Sequence, residues 1–125
     1  MQNKSLQLNE KRIEEIKKID PTEELFTDLL RFYLKEMPKS FGIILELQLA
    51  NKYKEIDHIS HRLRSTCYNI GATSMAVLFK DLEEFCKKTK LNKKLIKDKI
   101  TQIQNDLKVS SQIINETYHQ SLEKQ

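Results

Sequence analysis

The sequence predicts an all-α protein, an antiparallel up-and-down four-helix bundle with an additional short N-terminal helix. Glycine and proline, which interrupt helices, occur only twice each among 125 residues. The composition of 32% charged and 38% hydrophobic residues is typical of soluble proteins built from amphipathic helices. Apolar residues recur at intervals of three or four along most of the chain. Each predicted helix therefore has one apolar face, and antiparallel packing is the simplest way to bury these faces through short connections.

The length suits a single domain over residues 1–125, with a short N-terminal helix in 1–19 and the helical bundle in 20–120. No segment approaches the roughly 20 apolar residues that are needed to span a bilayer. The N-terminus also lacks the apolar core of a secretory signal. We therefore expect a cytoplasmic protein. The initial Met and the polar C-terminus favour a free-standing protein over a domain excised from a longer one.

The first two helices begin at recognisable capping patterns. Asn9 is a suitable N-cap for a short first helix in which isoleucine recurs every three residues. In the segment 20–23, Asp20 can cap a helix, Pro21 suits the first helical position and Glu23 can bond back to the cap. We expect a second helix from this segment to about Glu36.

Proline and glycine mark the next boundaries. Pro38 disfavours a helical conformation at Met37, so a third helix is expected from about Lys39 to Ala50. A fourth helix should run from about Lys52 to Asn69, because Gly71 ends or bends it.

The fifth helix follows directly, and Asn92 can cap a long sixth helix. Cys67 and Cys86 lie on the apolar stripes of the fourth and fifth helices and lack CxxC spacing. We therefore expect buried free thiols rather than a disulfide or a metal pair.

The net charge of +4 is expected to be spread over the chain, so it suggests acidic partners only weakly. A basic nucleic-acid binder is the least favoured interpretation, because no helix combines clustered lysine or arginine with polar residues that read bases. The sequence contains no Gly-rich nucleotide loop and no kinase motif. We therefore expect neither ATP binding nor self-phosphorylation.

The most informative residue is His61, in the fourth predicted helix. At about 100° per residue, it points away from the apolar stripe and shares the outward half of the helix with Arg64, Ser65 and Tyr68. An exposed histidine is usually an ordinary surface residue. A metal site shared with His58 is an alternative, although the sequence suggests no third or fourth ligand. The residues that follow His61 favour a different interpretation.

The run from His61 to Ala72 reads His-Arg-Leu-Arg-Ser-Thr-Cys-Tyr-Asn-Ile-Gly-Ala. It resembles the signature of the histidine phosphotransfer family, in which His-x-Leu-Lys-Gly is followed by small or polar residues and then Gly-Ala. The likeness continues as far as Leu82-Glu83. Upstream, the segment 32–38 resembles the family's Phe-Leu-x-Glu-x-Pro junction.

The resemblance implies that His61 is the phosphoryl acceptor and donor in a two-component phosphorelay. It would accept a phosphoryl group from a receiver-domain aspartate and pass it to another receiver. The expected partners are receiver domains of response regulators and of a hybrid sensor histidine kinase. The chain would be a phosphocarrier rather than an enzyme, without a cofactor of its own, and Mg²⁺ would be supplied at the partner receiver domain. We expect a monomer that binds neither nucleic acid nor membrane and holds no metal.

Three neighbours of His61 are candidate phosphate-stabilising or partner-facing residues. A phosphoryl group in transfer needs positive charge and in-line geometry. Arg64, one turn after His61, can supply this charge, and Arg62 or the more distant Lys54 is a further candidate. Ser65 stands where the family usually has glycine, and its side chain could either bond to the imidazole or phosphate or crowd the partner. This departure motivates an alternative hypothesis, a phosphorylation-deficient adaptor that binds signalling partners without transferring phosphate.

Overall fold

The computed structural model describes residues 8–123, which form six helices and contain no β-strand. In chain order, the helices are α1 Glu10–Ile19, α2 Glu24–Leu49, α3 Tyr53–Ile70, α4 Thr73–Lys87, α5 Lys93–Thr117 and α6 His119–Glu123. The predicted all-α fold is therefore confirmed. No helix in this range is long and apolar enough to cross a membrane. Residues 1–7 of the expected N-terminal segment and residues 124–125 of the expected domain lie outside the described residues.

The four long helices contact one another in order: α2 packs against α3, α3 against α4, α4 against α5, and α5 returns to α2. Helix α1 lies against α2 and α3, and α6 lies against α2 and α5. Helices α1 to α5 all contribute apolar side chains to one core. The largest fully buried side chains are those of Tyr33, Phe79, Ile16, Leu30, Met37, Ile44, Ile56, Ile70, Leu82, Ile96, Ile103 and Ile114.

Both cysteines are buried and free, as the sequence predicts. Burial raises the pKa of Cys67 to about 12. Burial, together with the nearby charge of Asp57, also raises the pKa of Cys86 to about 12. Thiols that stay protonated are poor nucleophiles, so both side chains serve as small apolar residues of the core.

The predicted helix break at Pro38 is wrong, because α2 continues through this proline from Glu24 to Leu49. A proline inside a helix removes a backbone hydrogen bond and costs about 3 kcal/mol. Pro38 itself is exposed, whereas Met37 and Phe41 are buried. Burying each large apolar side chain contributes about 1.5–3 kcal/mol, so the continuous apolar stripe outweighs the cost of the proline. The second and third predicted helices are thus one helix.

This helix also begins later than expected, at Glu24 rather than directly after Asp20. Glu23 adopts a left-handed conformation, with φ of 68°, and its side chain makes no capping hydrogen bond. Asp20 ends α1 instead, and its carboxylate accepts hydrogen bonds from the Thr22 hydroxyl at 2.6 Å and the Leu25 backbone N–H at 3.0 Å. These bonds, above all that from Thr22, lower the pKa of Asp20. Asp20 therefore still satisfies an N–H in the first turn of α2, but across a longer turn.

The two predicted asparagine caps are confirmed. The side-chain oxygen of Asn9 accepts a hydrogen bond from the backbone N–H of Arg12 at 2.9 Å, and that of Asn92 accepts one from Leu95 at 3.1 Å. The sixth predicted helix corresponds to α5. The short helix α6 has no counterpart in the prediction, so the total of six agrees only because two predicted helices merge into α2.

Helix α1 is tied to the end of α3 through backbone groups. The N–H of Asn9 donates to the carbonyl oxygen of Gly71 at 2.7 Å, and Nε of Arg12 donates to that of Asn69 at 3.0 Å. Gly71 follows α3 with φ of 87°, a left-handed conformation that favours glycine. A β-carbon on Gly71 would lie 3.2 Å from the backbone N and O of Asn9. Glycine is therefore needed both for the turn and for the close approach of α1.

Replacing Gly71 by alanine should lower the free energy of unfolding by about 1–3 kcal/mol, because alanine disfavours the left-handed backbone and crowds Asn9. Urea denaturation measures this change. Gly42→Ala is the matched control, since a β-carbon on Gly42 meets no atom within 4 Å. Alanine is the better helix former by about 0.5–1 kcal/mol, so the control should gain stability. Equal losses in both variants would contradict the role assigned to Gly71.

Candidate functional site

His61 lies in the middle of α3, and its side chain is 60% exposed. Ser60, directly before it, and Leu63, two residues after it, are buried, as expected for a helix whose apolar stripe faces the core. The predicted exposure of His61 is therefore confirmed. A partner can reach the imidazole ring directly from solvent.

Glu83 of α4 lies against this ring, and its side chain is only 5% exposed. Its Oε2 is 2.9 Å from Nδ1 of His61 and 3.0 Å from Nζ of Lys87. Its Oε1 is 3.3 Å from Nε of Arg64. One buried carboxylate thus joins three basic side chains from two helices. We call His61, Arg64, Glu83 and Lys87 the Glu83 cluster.

The contacts of Nδ1 determine which ring nitrogen of His61 is free. Nη2 of Arg64 also lies 2.9 Å from Nδ1, but Nδ1 cannot donate to Glu83 and accept from Arg64 at once. A proton on Nδ1 makes a charge-assisted hydrogen bond to the carboxylate, whereas a lone pair there would face the carboxylate at 2.9 Å. We therefore assign the proton to Nδ1. Nε2 then carries the lone pair, and no group among residues 8–123 makes a hydrogen bond to it.

Glu83 remains a carboxylate although it is buried. Burial by itself would raise its pKa, but hydrogen bonds from Lys87 and His61 and the charges of Arg64 and Lys87 outweigh burial and lower the pKa. The hydrogen bond to Glu83 in turn raises the pKa of Lys87. With a neutral imidazole, the cluster contains two cations and one anion. This excess of positive charge suits the binding of an anion at its exposed side.

Replacing Arg64 and Lys87 by uncharged residues should make the buried carboxylate of Glu83 destabilising at neutral pH. In the unmodified protein, the pKa of Glu83 is lower in the folded state than in the unfolded state. The charged carboxylate therefore contributes its full stabilisation above the unfolded-state pKa. This contribution is lost as the pH falls through the folded-state pKa. In the Arg64→Met/Lys87→Met variant, burial dominates and raises the pKa of Glu83. The unpaired charge should then lower the free energy of unfolding by about 1–3 kcal/mol at neutral pH. This is less than the cost of breaking a fully buried ion pair, because both cations are partly exposed.

Urea denaturation at several values between about pH 4 and pH 7 measures this effect. The free energy of unfolding of the double variant should rise as the pH falls, because protonation removes the buried charge of Glu83. Adding Glu83→Gln to the double variant should recover the loss at neutral pH. A double variant as stable as the unmodified protein at neutral pH would show that this carboxylate does not need its cations.

Of the three predicted neighbours, only Arg64 contacts the imidazole. Ser65 is exposed, and its hydroxyl donates to the backbone carbonyl of His61 at 3.5 Å, toward its own helix rather than toward the ring. Arg62 is exposed, and its side chain makes no hydrogen bond or ion pair with residues 8–123. His58 is exposed as well. In the described part of the chain, no group of three His, Cys, Asp or Glu side chains is arranged to hold a metal ion.

The prediction from sequence includes Glu83 only as part of a Leu-Glu motif and gives Lys87 no role. A signal for Glu83 is nevertheless present, since it falls four residues after Phe79 and directly after Leu82, on the buried stripe of α4. A carboxylate at such a position is rarely buried without a partner. Lys87 follows Glu83 at the spacing of a helical ion pair.

The candidate site therefore consists of one exposed imidazole, one buried carboxylate and two cations on the adjacent helices α3 and α4. Comparisons of the chain with protein-family models, with curated proteins and with solved structures found no match.

Proposed function

We propose that the chain is a histidine phosphotransfer protein. It accepts a phosphoryl group on Nε2 of His61 from a receiver-domain aspartate and passes it to another receiver in a two-component phosphorelay. The observation that best supports this proposal is the 2.9 Å contact between Nδ1 and the buried carboxylate of Glu83. This contact holds one ring nitrogen and leaves the other open to a partner. The resemblance of the segment 61–72 to the family signature points to the same histidine.

We further propose that α2 to α5 form an antiparallel up-and-down four-helix bundle, with α1 as the additional N-terminal helix. The closed series of contacts from α2 through α5 and back to α2 supports this arrangement. The connections between these helices are short, at 50–52, 71–72 and 88–92, which favours antiparallel neighbours. The bundle fixes α3 against α4 and thereby holds His61 against Glu83.

The transfer step uses the neutral imidazole as a nucleophile. The lone pair of Nε2 attacks the phosphorus atom of the aspartyl phosphate. The bond from phosphorus to the aspartate oxygen breaks, and the leaving carboxylate keeps the electron pair. The imidazole ring of His61 gains positive charge while Nδ1 keeps its proton. Glu83 stabilises this charge by accepting the hydrogen bond from Nδ1, and the same stabilisation serves the reverse step.

Arg64 and Lys87 supply the positive charge that the phosphoryl group needs. The Arg64 guanidinium lies 2.9 Å from Nδ1 of His61, so its positive charge is close to a phosphoryl group on Nε2 of the same ring. Lys87 is 56% exposed and adds a second positive charge at the solvent side of Glu83. Together they offset much of the phosphoryl charge without enclosing the group, which suits a carrier that must release it again.

In this proposal the chain is a phosphocarrier without kinase activity. The phosphorylated aspartate and the Mg²⁺ both belong to the partner, a receiver domain of a response regulator or of a hybrid sensor histidine kinase. The carrier acts as a cytoplasmic monomer, and its encounters with receivers are brief because each receiver must be exchanged for another.

An adaptor that binds receivers without accepting phosphate is the second candidate. The observation that favours it is Ser65, which is exposed one turn from His61, where the family usually has glycine. A side chain at this position leaves the partner's active site less room next to His61 than glycine would. Such an adaptor would bind receiver domains and carry no phosphate.

Incubation of the purified chain with a phosphorylated receiver domain and Mg²⁺ tests the proposal. We expect phosphate on the chain that is labile in acid and stable in base, as phosphohistidine is. Mass spectrometry under neutral conditions should place the added mass on the peptide that contains His61. If several receiver domains bind the chain and none leaves phosphate on it, the adaptor is the better description.

A further inference from the structure

The positive charge of the chain is concentrated rather than spread, contrary to the expectation from composition. The segment 87–99 contains seven of the 22 basic residues and one of the 18 acidic residues, so it carries a net charge of +6. The remaining residues, with 15 basic against 17 acidic side chains, carry −2. The whole positive balance therefore comes from the end of α4, the start of α5 and their connection.

The turn between α2 and α3 adds to the same charged region. Nζ of Lys93, at the start of α5, lies 5.9 Å from the centre of the Tyr53 ring, at the start of α3. The segments 50–54 and 88–97 are thus adjacent, and neither contains an aspartate or a glutamate. We define the lysine end as the exposed lysines of these segments that form no ion pair with residues 8–123. They are Lys52, Lys54, Lys88, Lys90, Lys93 and Lys97.

These six lysines differ from the paired lysines around them. Lys87, Lys94 and Lys99 contact Glu83, Asp98 and Asp81, which partly neutralise them. The lysine end has no such partner among residues 8–123, and like charges on adjacent segments repel one another. A surface of this kind gains free energy when an acidic surface approaches, since the repulsion is then relieved.

The lysine end is continuous with the site around His61. Lys54 precedes His61 by seven residues, about two helical turns, and therefore lies on the same face of α3. On α4, Lys88 directly follows Lys87, which contacts Glu83. An incoming protein that faces His61 therefore meets the lysine end on one side of the imidazole.

We infer that the lysine end is a docking surface for an acidic face of the receiver domain, and that it accelerates the encounter before phosphoryl transfer. This inference rests on the proposed function. A receiver that holds Mg²⁺ must place carboxylates around the ion, so charge complementarity favours an acidic protein. A nucleic acid is less suitable, because the lysine end has no exposed aromatic ring on which bases could stack.

The test compares phosphoryl transfer in two double variants with the same change of charge. Lys90→Glu/Lys97→Glu alters the lysine end away from the Glu83 cluster, and Lys11→Glu/Lys108→Glu alters exposed lysines elsewhere. Rapid quenching, with a receiver domain phosphorylated by acetyl phosphate, gives the bimolecular rate constant. We expect the first variant to lose about tenfold at low salt and the second about twofold or less. The difference should vanish near 0.5 M salt, roughly where screening is complete.

The rate at saturating receiver should be the same in both variants, since the lysine end acts on the encounter and not on the chemical step. Equal losses in the two variants would overturn the inference, because net charge alone would then explain them. If the unmodified chain accepts no phosphate, the proposed function fails. Titration of the unphosphorylated receiver domain with the same variants then tests the docking surface by itself, and equal affinities would overturn it.

An anionic membrane is the competing occupant, since Leu49, which is 86% exposed, lies at the same end. Sedimentation with vesicles of phosphatidylserine and phosphatidylcholine tests it directly. If the receiver domain is the occupant, the unmodified chain should bind these vesicles no better than vesicles of phosphatidylcholine alone at about 0.15 M salt. Vesicle binding that Lys90→Glu/Lys97→Glu abolishes, without any effect on the transfer rate, would assign the lysine end to lipid instead.

Discussion

Replacing His61 by glutamine is expected to abolish phosphoryl acceptance while the fold is retained. The amide nitrogen of glutamine has its lone pair delocalised, so it cannot attack phosphorus as Nε2 of the imidazole does. The side chain of His61 is 60% exposed, and among residues 8–123 it forms hydrogen bonds or ion pairs with Glu83 and Arg64 alone. Glutamine can still donate a hydrogen bond to Glu83, so circular dichroism and the thermal midpoint should be almost unchanged. The assay is labelling from a phosphorylated receiver domain.

The matched control is His58→Gln, the same substitution three residues earlier at another exposed position of α3. It should accept phosphate at the rate of the unmodified chain. Retention of label in His61→Gln would refute His61 as the phosphoryl acceptor. An adaptor predicts a different pattern, in which neither variant carries label and both bind receiver domains normally.

Replacing Glu83 by glutamine should slow phosphoryl transfer by about ten- to a hundredfold and leave the protein folded. The amide can donate to Nδ1, which favours the tautomer with the proton on Nε2 and so blocks the nucleophile. It also lacks the charge that stabilises the ring as the bond to phosphorus forms. Arg64 and Lys87 are partly exposed and can be solvated without Glu83, so the variant should stay folded and lose only the stabilising contribution of the charged carboxylate. Glu83 acts through His61 and is therefore a positioning residue.

Glu84→Gln is the control for this variant, because Glu84 is the adjacent residue and is exposed. Nitrogen chemical shifts of the His61 ring provide a readout that a purely structural role would not change. The unmodified protein should show the proton on Nδ1, and Glu83→Gln should show a larger share on Nε2. An unchanged transfer rate together with unchanged ring shifts would remove Glu83 from the proposed mechanism.

Features encoded by neighbouring residues could be predicted from the sequence. The caps at Asn9 and Asn92 depend on bonds that span three residues, and both are present. The exposure of His61 follows from the period of α3 alone. Arg64 was identifiable because it lies one helical turn after His61 on the same helix.

Features that depend on distant residues were not predictable in the same way. The local preference of Pro38 for a helix break is overridden by the burial of Met37 and Phe41 against other helices. The role of Glu83 depends on His61, which is 22 residues away on another helix. The side-chain bond of Ser65 to its own helix has competing local alternatives, which only the structure distinguishes.

All four members of the Glu83 cluster lie between residues 61 and 87, on one helical hairpin whose two helices are joined by Gly71 and Ala72. Helices α2 and α5 contribute no side chain to it and support it only through the apolar core that they share with the hairpin. Mutations on the outer surfaces of those helices can therefore accumulate without disturbing the cluster. A duplicated copy of the gene could thus acquire new binding partners at those surfaces while residues 61–87 stay unchanged.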